Sequence, residues 1–318
     1  YTFAGWYSSA NYTGEAITHI PQGSSGPKHL YAKWTGNTYT VSFNSNDQAI
    51  PNPDPQDLIS GQAYASLPTL TKAYYGHTWN TAQDGNGTPI TNATSLSTAQ
   101  NHTLYAQWTA NTYTVTLDKQ SGSGGSSTVT ATYAAALPNA TAPTRTGYTF
   151  GGYYASTNGG GNQYYTQAMA STQNWNLTTN TTLYAKWEPV TYTITYHLNS
   201  GTAPSPDNPT SYTIETATIT LKNPTRTYYS FLGWYAESTF ETVQTTVPQG
   251  STGNKDFYAK WSADSYTITY ELYGGTNNSQ NPASYTYESN TITLAAPSKT
   301  GYTFAGWFAE STYNTQIT

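Results

Sequence analysis

Three short segments recur in a fixed order along this chain, and that repetition limits its fold more than any single residue does. Leu30-Tyr31-Ala32-Lys33-Trp34 returns at 104–108, 183–187 and 257–261, at spacings of 74, 79 and 74 residues. Asn37-Thr38-Tyr39-Thr40-Val41-Ser42-Phe43 returns at 111–117, 190–196 and 264–270 with the same spacings. Tyr1-Thr2-Phe3-Ala4-Gly5-Trp6-Tyr7 returns at 148–154, 228–235 (one residue longer) and 302–308, and a degraded copy lies at 74–79. Self-similarity at one period, here about 74–80 residues, marks a tandem array of small modules.

The complete modules are 38–108, 112–187 and 191–261, numbered one to three in chain order. The second half of a module precedes them at 1–34, and the first part of another comes after them at 265–318. Three residues join each closing Trp to the next opening segment: Thr35-Gly36-Asn37, Thr109-Ala110-Asn111, Glu188-Pro189-Val190 and Ser262-Ala263-Asp264. Links this short restrict the angle between neighbours. Within a module, apolar residues alternate with polar ones. Tyr266, Ile268, Tyr270 and Leu272 share one face and Thr267, Thr269 and Glu271 the other; Leu30, Ala32 and Trp34 oppose Tyr31 and Lys33. A period of two is the pattern of a half-buried strand. A further alternation lies mid-module, as in Tyr212-Thr213-Ile214 and Ile219-Thr220-Leu221, with a proline (Pro143, Pro224, Pro297) next in the chain. The expected fold is mainly β. Each module should hold four or five short strands, with room for one short helix, best placed at 167–175.

These modules must close without covalent staples. The sequence has no Cys, which excludes disulfides, thiolate chemistry and cysteine metal sites together. It has 31 Tyr and 9 Trp, enough aromatic surface for several small cores. The 11 Lys and Arg are scattered and the net charge is −5, so nucleic acid is not an expected partner. No apolar run reaches spanning length, so membrane contact is not expected within this segment.

A Tyr-Thr-Ile-Thr-Tyr opening (192–196), a Gly-Tyr-Thr-Phe-x-Gly-Trp-Phe middle (301–308) and a Leu-Tyr-Ala-Lys-Trp close (183–187) together resemble the Listeria–Bacteroides repeat, the module typified by the B repeat of internalin B. The resemblance covers essentially the whole chain. It implies a β-grasp-like module, strung in tandem in microbial cell-surface proteins and adhesins, and it carries over no functional residue. Module one departs from the pattern. It has Gly76 and Thr78 where the others have Phe and Gly, Gln107 where they have Lys, and an insertion, Pro51-Asn52-Pro53-Asp54-Pro55.

The recurring aromatics are read as structural anchors: Phe3, Trp6, Trp34, Trp79, Trp108, Phe150, Trp187, Phe231, Trp234, Trp261, Phe304 and Trp307. Their fixed positions on apolar faces favour a core role over sugar stacking. Trp175 stands outside both Trp motifs and is the freer one. A cation precedes the aromatic segment at Arg145, Arg226 and Lys299, with Lys72 read as shifted by one; it is expected to rest on a neighbouring Tyr face. The Asn44, Asn46, Asp47, Asp54 and Asp57 stretch lacks calcium-loop spacing. His19, His29, His77, His102 and His197 share no motif position and no ligand spacing. No nucleophile elbow or repeated acid pair appears, so no catalytic residue, cofactor or metal is expected. The reading is a structural or adhesive extracellular array, a stalk, rod or filament on a microbial cell surface. Its partners are expected to be neighbouring repeats or copies of itself, end to end. The alternative is an adhesin binding glycans or a host protein through exposed Tyr and Trp. Residues 1–18 and 302–318 share one phase of the repeat, which fits either a window on a longer array or end-to-end strand addition.

Overall fold

The alternation of the opening segment becomes a strand in every complete module of the computed structural model, which describes residues 1–317. Module one runs Thr38–Asn44 (opening), Gln56–Ile59 (return), Tyr75–Asn80 (aromatic), Pro89–Ile90 (edge) and His102–Ala110 (closing). Module two runs Thr112–Asp118, Thr128–Thr132, Tyr148–Ser156, Gly160–Tyr165 and Thr181–Pro189. Module three runs Tyr192–His197, Ser211–Tyr212, Tyr229–Tyr235, Val243–Gln244 and Lys255–Ala263. In all three sheets the spatial order is return, opening, closing, aromatic, edge. The three sequence markers are therefore the three central strands. The stretches between these markers supply the two outer strands, return and edge.

The closing strand lies parallel to the opening strand, Phe43 opposite Leu104 and Tyr196 opposite Phe257. It lies antiparallel to the aromatic strand, Trp79 opposite Ala106 and Trp234 opposite Ala259. Its inward residues are buried: Leu104 and Ala106, Leu183 and Ala185, Phe257 and Ala259. They meet Val41 and Phe43, Val115 and Leu117, and Ile194 from the opening strands. Each buried Leu, Val, Ile or Phe among them contributes roughly 1.5–3 kcal/mol. First and last segments of a module thus share one core, and no covalent closure is needed.

One expectation changes. Each sheet has five strands, within the expected four or five, the fifth being a short edge strand between the aromatic and closing strands in the sequence. The helix expected at 167–175 does not form; those residues are turns and bridges, and the one helical turn among the described residues is Thr157–Gly159. The sequence Gln167-Ala168-Met169-Ala170 turns back at once, with Met169 at a φ of 61°. Bridges at Tyr165–Ser171 and Ala136–Asn174 then hold the chain in extended form.

The chain divides into two compact units, Tyr1–Pro143 with Gly151–Lys186, and Thr144–Phe150 with Trp187–Thr318. The first contains a two-stranded sheet of Thr2–Tyr7 and Tyr31–Thr35. The second contains two-stranded sheets of Ser265–Thr267 with Ser284–Thr286 and of Trp307–Phe308 with Gln316–Ile317. Thr318, the last residue of the trailing segment as read from the sequence, lies outside the described residues.

Candidate functional site

The aromatic strand and the closing strand share a ring cluster with one hub residue. In module three Phe231 lies edge-on to Trp234 (5.6 Å) and to Trp261 (5.3 Å). In the leading segment Phe3 stands 5.5 Å from Trp6 and 5.5 Å from Trp34. Phe150 lies 5.5 Å from Trp187, and Phe304 lies 5.2 Å from Trp307. Module one uses His77 as its hub, 5.8 Å from Trp79 and 5.3 Å from Trp108. Pattern reading passed over His77 because its place in the register shows only once the strands are paired.

Spacing explains the swap. A hub Phe three residues before its Trp would face away from it in a regular strand, since side chains alternate. Register shifts between Phe3 and Gly5 and between Phe231 and Gly233 mark a bulge that puts Phe and Trp on one face. The motif glycine takes a positive φ in all four copies, 125° at Gly5, 110° at Gly152, 140° at Gly233 and 138° at Gly306. Module one has lost one residue, so His77 and Trp79 are two apart and face the same way with no bulge. Its missing Gly is a consequence of that shorter spacing.

The anchors are placed unevenly. Trp79, Phe150 and Trp234 are buried; Trp108, Trp187, Phe231, Trp261 and Trp307 are half-buried; Phe3, Trp6, Trp34 and Phe304 are exposed. Indole N–H groups donate to carbonyls of the module's first half. Trp79 donates to Pro68 (2.9 Å), Trp234 to Lys222 (3.0 Å), Trp108 to Ser45 (2.8 Å) and Trp261 to Leu198 (3.0 Å). Residues 1–34 do not include that half, and Trp34 is 59% exposed. Trp175, read as the freer tryptophan, is fully buried at 0% exposure. It follows the Ala136–Asn174 bridge as Leu96 follows the Ala63–Ser95 bridge, so it fills the slot Leu96 fills in module one. Module two has Tyr153 in place of Trp79 and Leu137 in place of Tyr64, so aromatic volume is redistributed within the core.

A second recurring arrangement sits where modules join. The cation opens a turn whose fourth residue is Tyr: backbone N–H groups of Tyr75, Tyr148, Tyr229 and Tyr302 donate to carbonyls of Lys72, Arg145, Arg226 and Lys299. Each cation rests on that ring, at 4.6, 3.8, 3.5 and 4.4 Å. Lys72 is thus in step with the others, not shifted. The third turn residue is left-handed: Tyr74 (φ 67°), Gly147 (77°), Tyr228 (65°) and Gly301 (79°). At the first three, its carbonyl accepts the N–H of the linking residue, Asn111, Val190 or Asp264. Across the junction Tyr74 meets Tyr133 at 4.6 Å, and Tyr228 stacks on Tyr287 at 4.9 Å and 16°. Tyr148 and Tyr229 donate to Glu215 (2.9 Å) and Glu288 (2.7 Å), which pushes both phenol pKa values up.

The polar stretch of module one works locally. Asp47 pairs with Lys72 at 2.8 Å, which lowers its carboxyl pKa; Asp57 accepts from Thr40; Asn46 donates to the carbonyls of Gln83 and Ala106. His102 meets the Tyr64 hydroxyl and His197 meets Asp256. Asp54, His19 and His29 join none of these contacts. The described residues bring no three metal-ligating side chains together.

The sequence profile of the Listeria-Bacteroides repeat domain matches 1–33, 39–107, 113–186, 192–260 and 266–318. A protein provisionally named a Gly-rich membrane protein, from Evansella cellulosilytica, is 28% identical over 98% of this chain and 36% of its own length. A second protein of that organism, provisionally named a membrane protein, is 33% identical over 65% of this chain and 29% of its own. Internalin H of Listeria monocytogenes is 35% identical over 45% of this chain and 22% of its own. The chain therefore spans about a third or less of the length of these relatives.

Proposed function

Because this chain belongs to the Listeria-Bacteroides repeat family, we propose that it is a non-catalytic, surface-exposed stretch of tandem modules that projects or spaces other parts of a longer extracellular protein. The observation that carries this is the junction. The closing strands run to Ala110, Pro189 and Ala263 and the next strands open at Thr112, Tyr192 and Ser265, so one or two residues remain between them. Those residues are hydrogen-bonded on both sides at the first junction: Asn111 donates to the Tyr74 carbonyl and its own carbonyl accepts from Tyr133. Rod-like spacing needs connections of this kind, and a flexible tether does not. The names of the relatives, two membrane proteins and an internalin, fit a cell-surface setting.

Adhesion is the second reading, through a glycan or host protein. What weighs against it is that the best stacking residues of the complete modules, Trp79 and Trp234, are covered and use their indole N–H groups inside the module. Neighbouring repeats, in the same chain or end to end between chains, are the partners this reading favours. Protease treatment of intact producing cells tests it. Peptides of this chain should be released while a cytoplasmic marker is retained; protection until the cells are lysed would end the surface reading.

A further inference from the structure

Two junctions carry a pair of tyrosines where a third carries glycine and isoleucine. Tyr74 faces Tyr133 and Tyr228 faces Tyr287, whereas Gly147 lies against Ile214. The first residue of each pair is in the left-handed backbone region, which glycine occupies freely and a bulky side chain does not. At these junctions tyrosine takes that position, at a cost in backbone strain, only where a second tyrosine stands opposite. The rings are close and accessible: Tyr228 is 50% and Tyr287 64% exposed, Tyr74 is 42% exposed and Tyr133 half-buried. The chain has no Cys with which to staple one module to the next.

We infer that Tyr74–Tyr133 and Tyr228–Tyr287 are sites of oxidative coupling, where a one-electron oxidant of the peroxidase class joins the two rings as dityrosine. Each phenol gives up one electron and one proton. The two radicals join through ring carbons ortho to the oxygens, and the coupled rings return to phenols by tautomerisation. Hydrogen peroxide takes both electrons and both protons and leaves as two waters, so the balance closes. Pre-stacked rings need little movement to couple, the advantage that proximity gives any reaction between two held groups. Each bond would lock consecutive modules covalently at the junction. Access of an oxidant in vivo rests on the proposed surface location; the coupling itself does not.

The test uses the purified 318-residue chain, dilute, with a haem peroxidase and hydrogen peroxide. Dityrosine fluorescence should rise while the chain stays monomeric, its mass falling by two hydrogens per bond. Peptide mapping should join the peptide holding Tyr74 to that holding Tyr133, and Tyr228 to Tyr287. The double variant Tyr74→Phe, Tyr228→Phe keeps both rings and should lose most of the intramolecular signal, at least several-fold. Tyr133→Phe with Tyr287→Phe, which leaves the left-handed positions untouched, should do the same. Bonds that form only between chains, bonds that map to other tyrosines, or a signal unchanged in both double variants would overturn the assignment.

Discussion

Lys33 and Lys260 hold their ammonium groups 5.2 Å from the rings of Tyr7 and Tyr235 on the adjacent aromatic strand. Module one has Asn80 in that ring's place, and Gln107 in place of the lysine donates to the carbonyls of Ala82 and Gln83. The Gln107 departure seen in the sequence is therefore one half of an exchange across a strand pair, and Asn80 is the other half. The anchors differ in what they hold. Trp234 is 2% exposed with its N–H bonded, so Trp234→Ala should cost about 3–5 kcal/mol in chemical denaturation. Trp34 is 59% exposed, and Trp34→Ala should cost less than about 1 kcal/mol. Equal costs would show that exposure does not rank the anchors. Burial also pushes the phenols of Tyr153, Tyr165 and Tyr196 from 10.0 up to about 12, with the Asp118 charge adding to the effect at Tyr153. The folded state therefore keeps these protons more tightly than the unfolded chain. Their contribution to stability is complete below pH 10 and is lost as pH rises towards 12. Denaturation midpoints measured through that window should fall, and fall less for Tyr165→Phe; a flat profile would contradict the burial of these hydroxyls.

At the level of strands, the three recurring segments were legible because each central strand is packed on both sides and must repeat its pattern. The edge strands were not. Pro89–Ile90 and Val243–Gln244 are two residues long, and pairing to the aromatic strand, not alternation, creates them. The buried slot of Trp175 was equally hidden, since a bridge outside any regular strand sets it. The Phe-x-Gly-Trp spacing could be read only with the bulge in view, and it yields a graded prediction. A Cβ at Gly152 would fall 2.3 Å from the Tyr165 carbonyl oxygen, on top of a φ of 110°. At Gly233, with a φ of 140°, the nearest atom would be 3.6 Å away, so only backbone strain opposes the change. Gly76 has nothing within 4 Å and no positive φ. Thermal melts should rank Gly152→Ala as most damaging and Gly233→Ala as intermediate, near 1–3 kcal/mol by order of magnitude. Gly76→Ala should be neutral or slightly stabilising. A destabilised Gly76→Ala variant, or a silent Gly152→Ala variant, would remove the bulge from the account.

Across the whole molecule, what matters is that each module closes on itself. Parallel pairing of its first and last segments means that a module core is complete only when both are in place, about 60 residues apart in the sequence of module one, as Val41 opposite His102 shows. Modules one and three keep separate buried clusters, the first around Val41, Phe43, Trp79 and Leu104, the second around Ile194, Trp234, Phe257 and Ala259. Cores of this kind should open one at a time, as in other arrays where each repeat has its own stability and touches only its neighbours. Native-state hydrogen exchange on Trp234→Ala tests this. Protection of the Ile194 and Phe257 amides should collapse by several orders of magnitude, in keeping with a loss of about 3–5 kcal/mol. The Val41 and Leu104 amides should exchange as in the parent chain. If protection fell in both modules together, the array would be a single cooperative body. Its repeating sequence would then describe only where the strands lie, and not where the folding units begin and end.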